Sequence, residues 1–104
     1  MSKITTLLLS ASDVNTLMQN YGINRLMDDL IFRLIKEFEN FNATDTIIPI
    51  RSGFNYNTEH VGLVEWMPVY KTGEEVVIKV VGYHPNNPTT FNLPTILSTI
   101  SSYD

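Results

Sequence analysis

The sequence predicts an α+β fold, a mostly antiparallel sheet with one long and one short helix on one face. Apolar residues recur at three- and four-residue steps between positions 23 and 41, which is typical of an amphipathic helix. Two strand-like runs, 62–70 and 76–83, flank a short polar segment around Gly73 and indicate a β-hairpin. The order of one strand, two helices and four further strands favours this class.

The length and composition of the sequence indicate one small globular domain, residues 1–104. With 7 Lys+Arg against 11 Asp+Glu, the net charge is −4, and no basic stripe is present, so we expect no nucleic-acid partner. No apolar run approaches the roughly 20 residues that cross a bilayer, so we expect no membrane association. The absence of cysteine fits a reducing compartment, and we expect a cytoplasmic protein.

The first part of the chain predicts a strand and two helices. Residues 4–9 are typical of a short strand. Gly22 separates a short helix, at about residues 14–20, from a long helix that begins at Ile23 and has a broad apolar face. Side-chain oxygens that could cap the short helix belong to Ser10, Ser12 and Asp13.

Strands account for most of the remaining sequence. Residues 46–51 predict a strand at an edge or a bulge, because Pro49 cannot donate a ladder hydrogen bond. The hairpin follows, then a loop rich in Pro and Asn, and residues 95–103 are again β-like. The sequence therefore predicts a sheet whose centre is the hairpin.

The hairpin carries one charge in each strand. If its turn centres on Gly73, Lys79 lies opposite Met67 and Val81 lies opposite Glu65. Lys79 and Glu65 would then be diagonal neighbours on one face, whereas a slip of one residue would put them on opposite faces.

Lys79 follows three apolar residues and precedes two more, and it would be costly to bury without a partner. That partner is Glu65, the carboxylate of a ligand, or solvent on an open face of the sheet. Arg51 is either a bidentate clamp on a carboxylate or an ordinary edge-strand arginine. His84, at the end of the Lys79 strand, is either a structural side chain or a loop contribution to a site. The pattern indicates a small-ligand-binding surface.

No metal site is expected, because His60 and His84 lack a carboxylate at ligand spacing. No glycine-rich phosphate loop occurs either.

A set of short motifs, in order and at matching spacing, resembles the ornithine cyclodeaminase/mu-crystallin family. The motifs are Glu65-Trp66-Met67-Pro68, Lys79, Gly82-Tyr83-His84-Pro85-Asn86-Asn87 and Leu93-Pro94-Thr95. The chain resembles only the N-terminal portion of this family, whose members are about three times as long. The loop between Arg51 and Glu65 is a few residues longer, one residue is added before Thr95, and Asn92 stands where the family has Gly.

The resemblance implies a substrate-binding and dimerising domain, which forms a homodimer through its sheet. Arg51 and Lys79 would hold the α-carboxylate of an amino-acid substrate. Thr95 would line the same pocket, and Glu65 would lie beside Lys79 or the substrate amine. A following Rossmann domain, expected to be absent from this chain, would bind NAD(H) or NADP(H).

The Gly-Tyr-His-Pro segment resembles the branch that converts L-ornithine to L-proline and ammonia with NAD. No catalytic residue of the family is expected within this chain, so it should be inactive alone. The alternative is a non-catalytic ligand-binding or oligomerisation module of the mu-crystallin or ketimine reductase type. A lysine- or alanine-directed relative is a further alternative.

Overall fold

The computed structural model describes residues 5–104. Its elements are α1 (Ala11–Tyr21), α2 (Ile23–Glu39), β1 (Thr46–Ile47), β2 (Ser52–Asn55), β3 (Leu63–Lys71), β4 (Glu75–Tyr83), α3 (Asn87–Phe91) and β5 (Ile96–Tyr103). Every strand pair in this part of the chain is antiparallel, which confirms the predicted α+β class. The chain divides into two compact units, a helical one that ends at Phe41 and a sheet unit from Asn42 to Asp104.

Helix α1 begins earlier than predicted, because a capping box stabilises its first turn. The Ser10 hydroxyl accepts a hydrogen bond from the Asp13 amide at 3.1 Å, and the Asp13 carboxylate accepts one from the Ser10 amide at 2.8 Å. This reciprocal capping box satisfies two amides that have no partner within the helix. The hydrogen bonds from the Ser10 side chain and backbone lower the pKa of the Asp13 carboxyl.

Gly22 separates α1 from α2, as predicted, with φ +91. Next to this break the Tyr21 hydroxyl donates to the Asp29 carboxylate, and this bond raises the pKa of Tyr21. The Arg25 guanidinium lies 4.3 Å from the centre of the Tyr21 ring. A hydrogen bond and a cation–π contact thus join the end of α1 to the start of α2.

The predicted first strand, residues 4–9, is wrong for residues 5–9, which have no regular structure. Residue 4 lies outside the described residues. A strand needs a neighbour for its backbone hydrogen bonds, and no described strand pairs with this segment. Leu7 and Leu8 are accordingly 83% and 85% exposed.

The β3–β4 hairpin is the centre of the sheet, whose order is β1-β3-β4-β5 with β2 also paired to β3. Its register places Met67 opposite Lys79 and Glu65 opposite Val81, so the register predicted around Gly73 is confirmed. Strand β5 pairs with β4 along its whole length, and Ile100 lies opposite Lys79. The predicted C-terminal strand is therefore confirmed as well.

The other border of the sheet is interrupted. The sequence predicted one strand over residues 46–51, but the structure breaks it: β1 ends at Ile47 and β2 begins at Ser52. Residues 67–69 of β3 consequently pair only with β4 among the described strands. Pro49 lies in the break and Pro68 lies opposite it, and neither has an amide hydrogen to donate.

The segment between β4 and β5 was predicted as a loop but contains the short helix α3. Pro88 lies in its first turn, where the missing amide hydrogen costs nothing. Asn92 ends the helix in the left-handed conformation, with φ +54. This conformation favours Gly, and Asn adopts it more readily than most residues, so Asn can replace the Gly of the resembling family there.

Within residues 5–104, Gly62 is the one buried residue, so these residues close no core of their own. The side chains of β3 and β4 are mostly half-buried, whereas apolar residues of α2 and β5 are exposed. No described helix is long and apolar enough to cross a membrane. Exposed apolar surface of this extent is typical of sites that bind another surface.

The turn at Gly73 offers a test of the hairpin. Gly73 has φ +76, and its surroundings leave room for a Cβ atom, so only the backbone conformation opposes a larger residue. We expect Gly73→Ala to lower the free energy of unfolding by about 1 kcal/mol in urea titrations, and Gly73→Asn to lower it less. An alanine variant as stable as the wild type would contradict this turn geometry.

Candidate functional site

Three of the predicted site residues lie together on one face of the sheet. Glu65 and Lys79 share that face because Glu65 pairs with Val81 and Met67 pairs with Lys79. Arg51 directly precedes Ser52, which pairs with Trp66. Arg51 is not itself paired in the ladder, but the register of β2, if continued by one residue, would place it beside Met67 on the same face.

In that extended register, Arg51 and Lys79 would flank Met67 from opposite sides. Neighbouring strands are about 4.8 Å apart, so the two Cα atoms are separated by about 10 Å. Both side chains are long enough to converge over Met67. Two cations at this separation can share one carboxylate, which is the chemistry expected for this pair.

Glu65 forms an ion pair with Arg51. The Arg51 Nη1 atom lies 3.4 Å from the Glu65 Oε2 atom, and the two side chains are 60% and 31% exposed. Glu65 is a diagonal neighbour of Lys79 in the ladder, as expected, but the Glu65 carboxylate contacts Arg51. The Arg51 guanidinium is thus already paired with a carboxylate of the same chain.

Lys79 is exposed, and within residues 5–104 its ammonium forms no ion pair or hydrogen bond. Of the three partners considered for Lys79, the structure shows solvent on an open face of the sheet. Ile100 of β5, which pairs with Lys79, is itself 70% exposed, so this part of the sheet face is open within residues 5–104. The role of Lys79 in binding a substrate remains a prediction.

His84 and Thr95 form a second group at the end of the sheet. The His84 amide donates to the Thr95 carbonyl oxygen at 2.8 Å, directly before β5. Along β4 this point is five residues beyond Lys79, or about 16 Å at the rise of a strand. The structure joins His84 with Thr95 and Arg51 with Glu65, and it does not bring Thr95 next to Lys79.

Two residues that contact His84 were not predicted. The Tyr56 ring lies 5.2 Å from the His84 ring, and Gly62 lies directly under the imidazole. The hairpin register could have indicated Gly62, because it lies one residue beyond the Leu63–Tyr83 pair and so faces His84. Tyr56 follows β2 in a polar segment whose sequence gives no such signal.

A groove of about 420 Å³ lies between α1 and α2. Its lining is mostly apolar, with Tyr21, Asp29 and Arg33 as polar members. None of the predicted site residues lines it. The described residues also contain no cluster of three or more His, Cys, Asp or Glu side chains that could hold a metal ion.

Comparison with curated proteins identifies a relative of known activity. The chain is 34% identical to the L-lysine cyclodeaminase of Streptomyces rapamycinicus over 100 residues, which is 95% of this chain and 29% of the relative. A solved structure of lysine cyclodeaminase, studied for its recognition of L-lysine, L-ornithine and L-2,4-diaminobutyric acid, matches with a TM-score of 0.73. That match is 35% identical and covers 90% of this chain and 28% of the other.

The chain is related to the ornithine cyclodeaminase family and matches its N-terminal portion. The family resemblance predicted from the sequence is thereby confirmed. The chain spans less than a third of the length of the cyclodeaminases it matches. No family model matches the sequence.

The Arg51–Glu65 pair can be measured by a double-mutant cycle. We expect Arg51→Ala and Glu65→Gln to show a coupling of about 0.2–1 kcal/mol in the free energy of unfolding, because the pair is partly exposed. The coupling should shrink at high salt, as should that of the exposed Lys36–Glu39 pair used as the control. A coupling of zero at low salt would mean that Arg51 is not held by Glu65.

Proposed function

We propose that this chain is the substrate-binding and dimerising part, residues 1–104, of an NAD-dependent cyclodeaminase that converts L-ornithine to L-proline and ammonia. The observation that carries the proposal is the sharing of one sheet face by Arg51, Glu65 and Lys79 in a chain related to cyclodeaminases. These residues supply the charges that an amino-acid zwitterion needs.

The α-carboxylate of the substrate would lie between the Arg51 guanidinium and the Lys79 ammonium. Charge-assisted hydrogen bonds from two cations fix both the position and the orientation of a carboxylate. Glu65 already contacts Arg51 and has a second oxygen available for the substrate amine. The substrate would thus enlarge an existing pair of charges and would not have to break it.

The favoured substrate is an amino acid with a second amine, and L-ornithine comes first. The lysine cyclodeaminase structure was studied with L-lysine, L-ornithine and the shorter L-2,4-diaminobutyric acid. L-lysine is longer than L-ornithine by one methylene, a difference for which a pocket typically discriminates by about 10–200-fold. The Gly82-Tyr83-His84-Pro85 segment supports L-ornithine through its resemblance to that branch of the family.

NAD is part of this proposal only because the resemblance to the cyclodeaminase family implies it. All strand pairs of residues 5–104 are antiparallel, and a dinucleotide-binding βαβ unit needs parallel strands. The described residues therefore do not fit this cofactor, and no step on them involves it. A cytoplasmic location is part of the same proposal, supported by the lack of cysteine.

A second candidate is a ligand-binding or oligomerisation module without catalysis, of the mu-crystallin or ketimine reductase type. The exposure of Lys79 favours it, because an open face binds ligands without enclosing a reaction. Turnover of L-ornithine by a protein that joins this chain to a dinucleotide-binding domain would argue against this second candidate.

Calorimetric titration with L-ornithine tests the substrate site. We expect weak, saturable binding to the wild type and a loss of at least tenfold in Lys79→Ala, since a hydrogen bond to a charged group contributes about 1.5–3 kcal/mol. Lys36→Ala removes an equally charged lysine from α2 and should bind as the wild type does. 1,4-Diaminobutane, which lacks the carboxylate, should not bind.

Equal affinity of Lys79→Ala and the wild type for L-ornithine would contradict the proposed role of this lysine. Tighter binding of L-lysine than of L-ornithine would keep the site and replace the substrate.

We further propose that the homodimer forms through the sheet, at β5. This strand pairs with β4 on one side only among the described strands. It contains no charged residue and no proline, the usual protections of a free edge. Ile96, Leu97 and Ile100 are 50–70% exposed, so the same strand also offers apolar contact area.

Analytical ultracentrifugation tests this interface. At tens of micromolar we expect a dimer for the wild type and a monomer for Ile100→Lys, because the new charge would be buried in the interface. Thr58→Lys introduces the same charge in an exposed loop and should remain dimeric. A wild type that sediments only as a monomer would contradict the proposal.

A further inference from the structure

The imidazole of His84 rests on two glycines. A Cβ atom added to Gly62 would lie 2.5 Å from the His84 Cδ2 atom and 3.1 Å from Nε2. A Cβ atom added to Gly82 would lie 3.1 Å from Cε1 and 3.4 Å from Nδ1 of the same ring. The ring therefore occupies space that a side chain at either position would need.

Tyr56 lies against the same ring. The two ring centres are 5.2 Å apart, with 45° between the ring planes. The Tyr56 amide donates to the Gly62 carbonyl oxygen at 2.9 Å, which closes the loop of residues 56–62. The imidazole thus contacts both ends of this closed loop.

The backbone of His84 holds the segment on its other side. Its amide donates to the Thr95 carbonyl oxygen at 2.8 Å, and its carbonyl oxygen accepts from the Asn87 amide at 3.1 Å. The Asn87 side chain in turn donates to the Pro94 carbonyl oxygen at 3.1 Å. His84 is therefore the point where the loop of residues 56–62, the end of β4 and the segment before β5 meet.

Neither ring nitrogen of His84 has a hydrogen-bond partner among residues 5–104. The ring makes its described contacts by packing: it fits the space above the two glycines and lies against Tyr56. Shape is therefore what this position requires from its side chain, and an aromatic ring without nitrogens provides a similar shape.

We infer that His84 is a positioning residue, whose ring packs on Gly62, Gly82 and Tyr56 and thereby holds the backbone of Thr95 in place before β5. The role of Thr95 rests on the proposed function, whereas the packing of His84 does not. His84 acts through the placement of the backbone before β5 and does not touch the substrate itself. This separates it from Arg51, Glu65 and Lys79.

Amide hydrogen exchange of the 104-residue chain tests the positioning. In His84→Ala, the amide of residue 84 should exchange at least tenfold faster than in the wild type, because its bond to Thr95 loses the support of the ring. Amides of Val69 and Val77, which pair within the hairpin, should not change. His84→Phe should keep wild-type protection at residue 84. Wild-type protection in His84→Ala would overturn the inference.

A stability cycle with Gly62 tests the packing without any ligand. Gly62→Ala should lower the urea midpoint in the wild type and lower it clearly less in His84→Ala, where the ring is gone. Gly53→Ala is the matched control, since its Cβ would lie 2.1 Å from the Val64 carbonyl oxygen and 2.7 Å from the Glu65 Cα atom. Its penalty should be the same in both backgrounds, and equal Gly62→Ala penalties would overturn the packing.

L-ornithine titration separates the inference from the proposed function. His84→Ala should weaken binding several-fold, and His84→Phe should bind as the wild type does. If His84→Phe keeps its protection but binds as poorly as His84→Ala, the nitrogens contact the substrate, and the positioning role is wrong. If the wild type binds no diamino acid, the proposed function fails. Amide hydrogen exchange and the stability cycle would still test the packing of the His84 ring.

Discussion

The antiparallel register of β3 and β4 is the constraint on which both groups of site residues depend. It is fixed at one end by the turn at Gly73, and each pair along the ladder follows from it. Glu65 and Lys79 share a face only in this register. At the other end, the same ladder brings Gly62 opposite His84, so a slip of one residue would remove the space that the imidazole occupies.

The charges and exposure of Arg51, Glu65 and Lys79 explain how their face of the sheet can bind a small zwitterion. Arg51 and Glu65 neutralise each other at 3.4 Å, which leaves Lys79 as the unpaired cation of the group within residues 5–104. An exposed ammonium interacts weakly with an anion in water, because the dielectric constant is high and salt screens the charge. A strong site therefore needs a further surface that removes water from this face. The chain spans less than a third of the length of the related cyclodeaminases.

The sequence predicted those features that depend on local chemistry or on periodicity. Gly22, the spacing of apolar residues in α2 and the turn at Gly73 gave the helix break, the long helix and the hairpin register. Features that depend on distant partners were missed. Residues 5–9 look like a strand but have no strand beside them, and the alternation around Lys79 could not show whether anything covers it. The Arg51–Glu65 contact was equally out of reach, because it depends on how β2 follows the break at Pro49.

The two borders of the sheet are unequal, and the prolines are the reason. On the β1 and β2 side, the ladder breaks between Ile47 and Ser52, and Pro49 and Pro68, which lie at this break, have no amide hydrogen to donate. On the β5 side, eight residues run without a break. A chain with a single continuous border can join one other chain along it, and the joined pair then presents only interrupted borders. If two chains join along β5 as proposed, the pair would close at two copies and would not grow into an open-ended fibre.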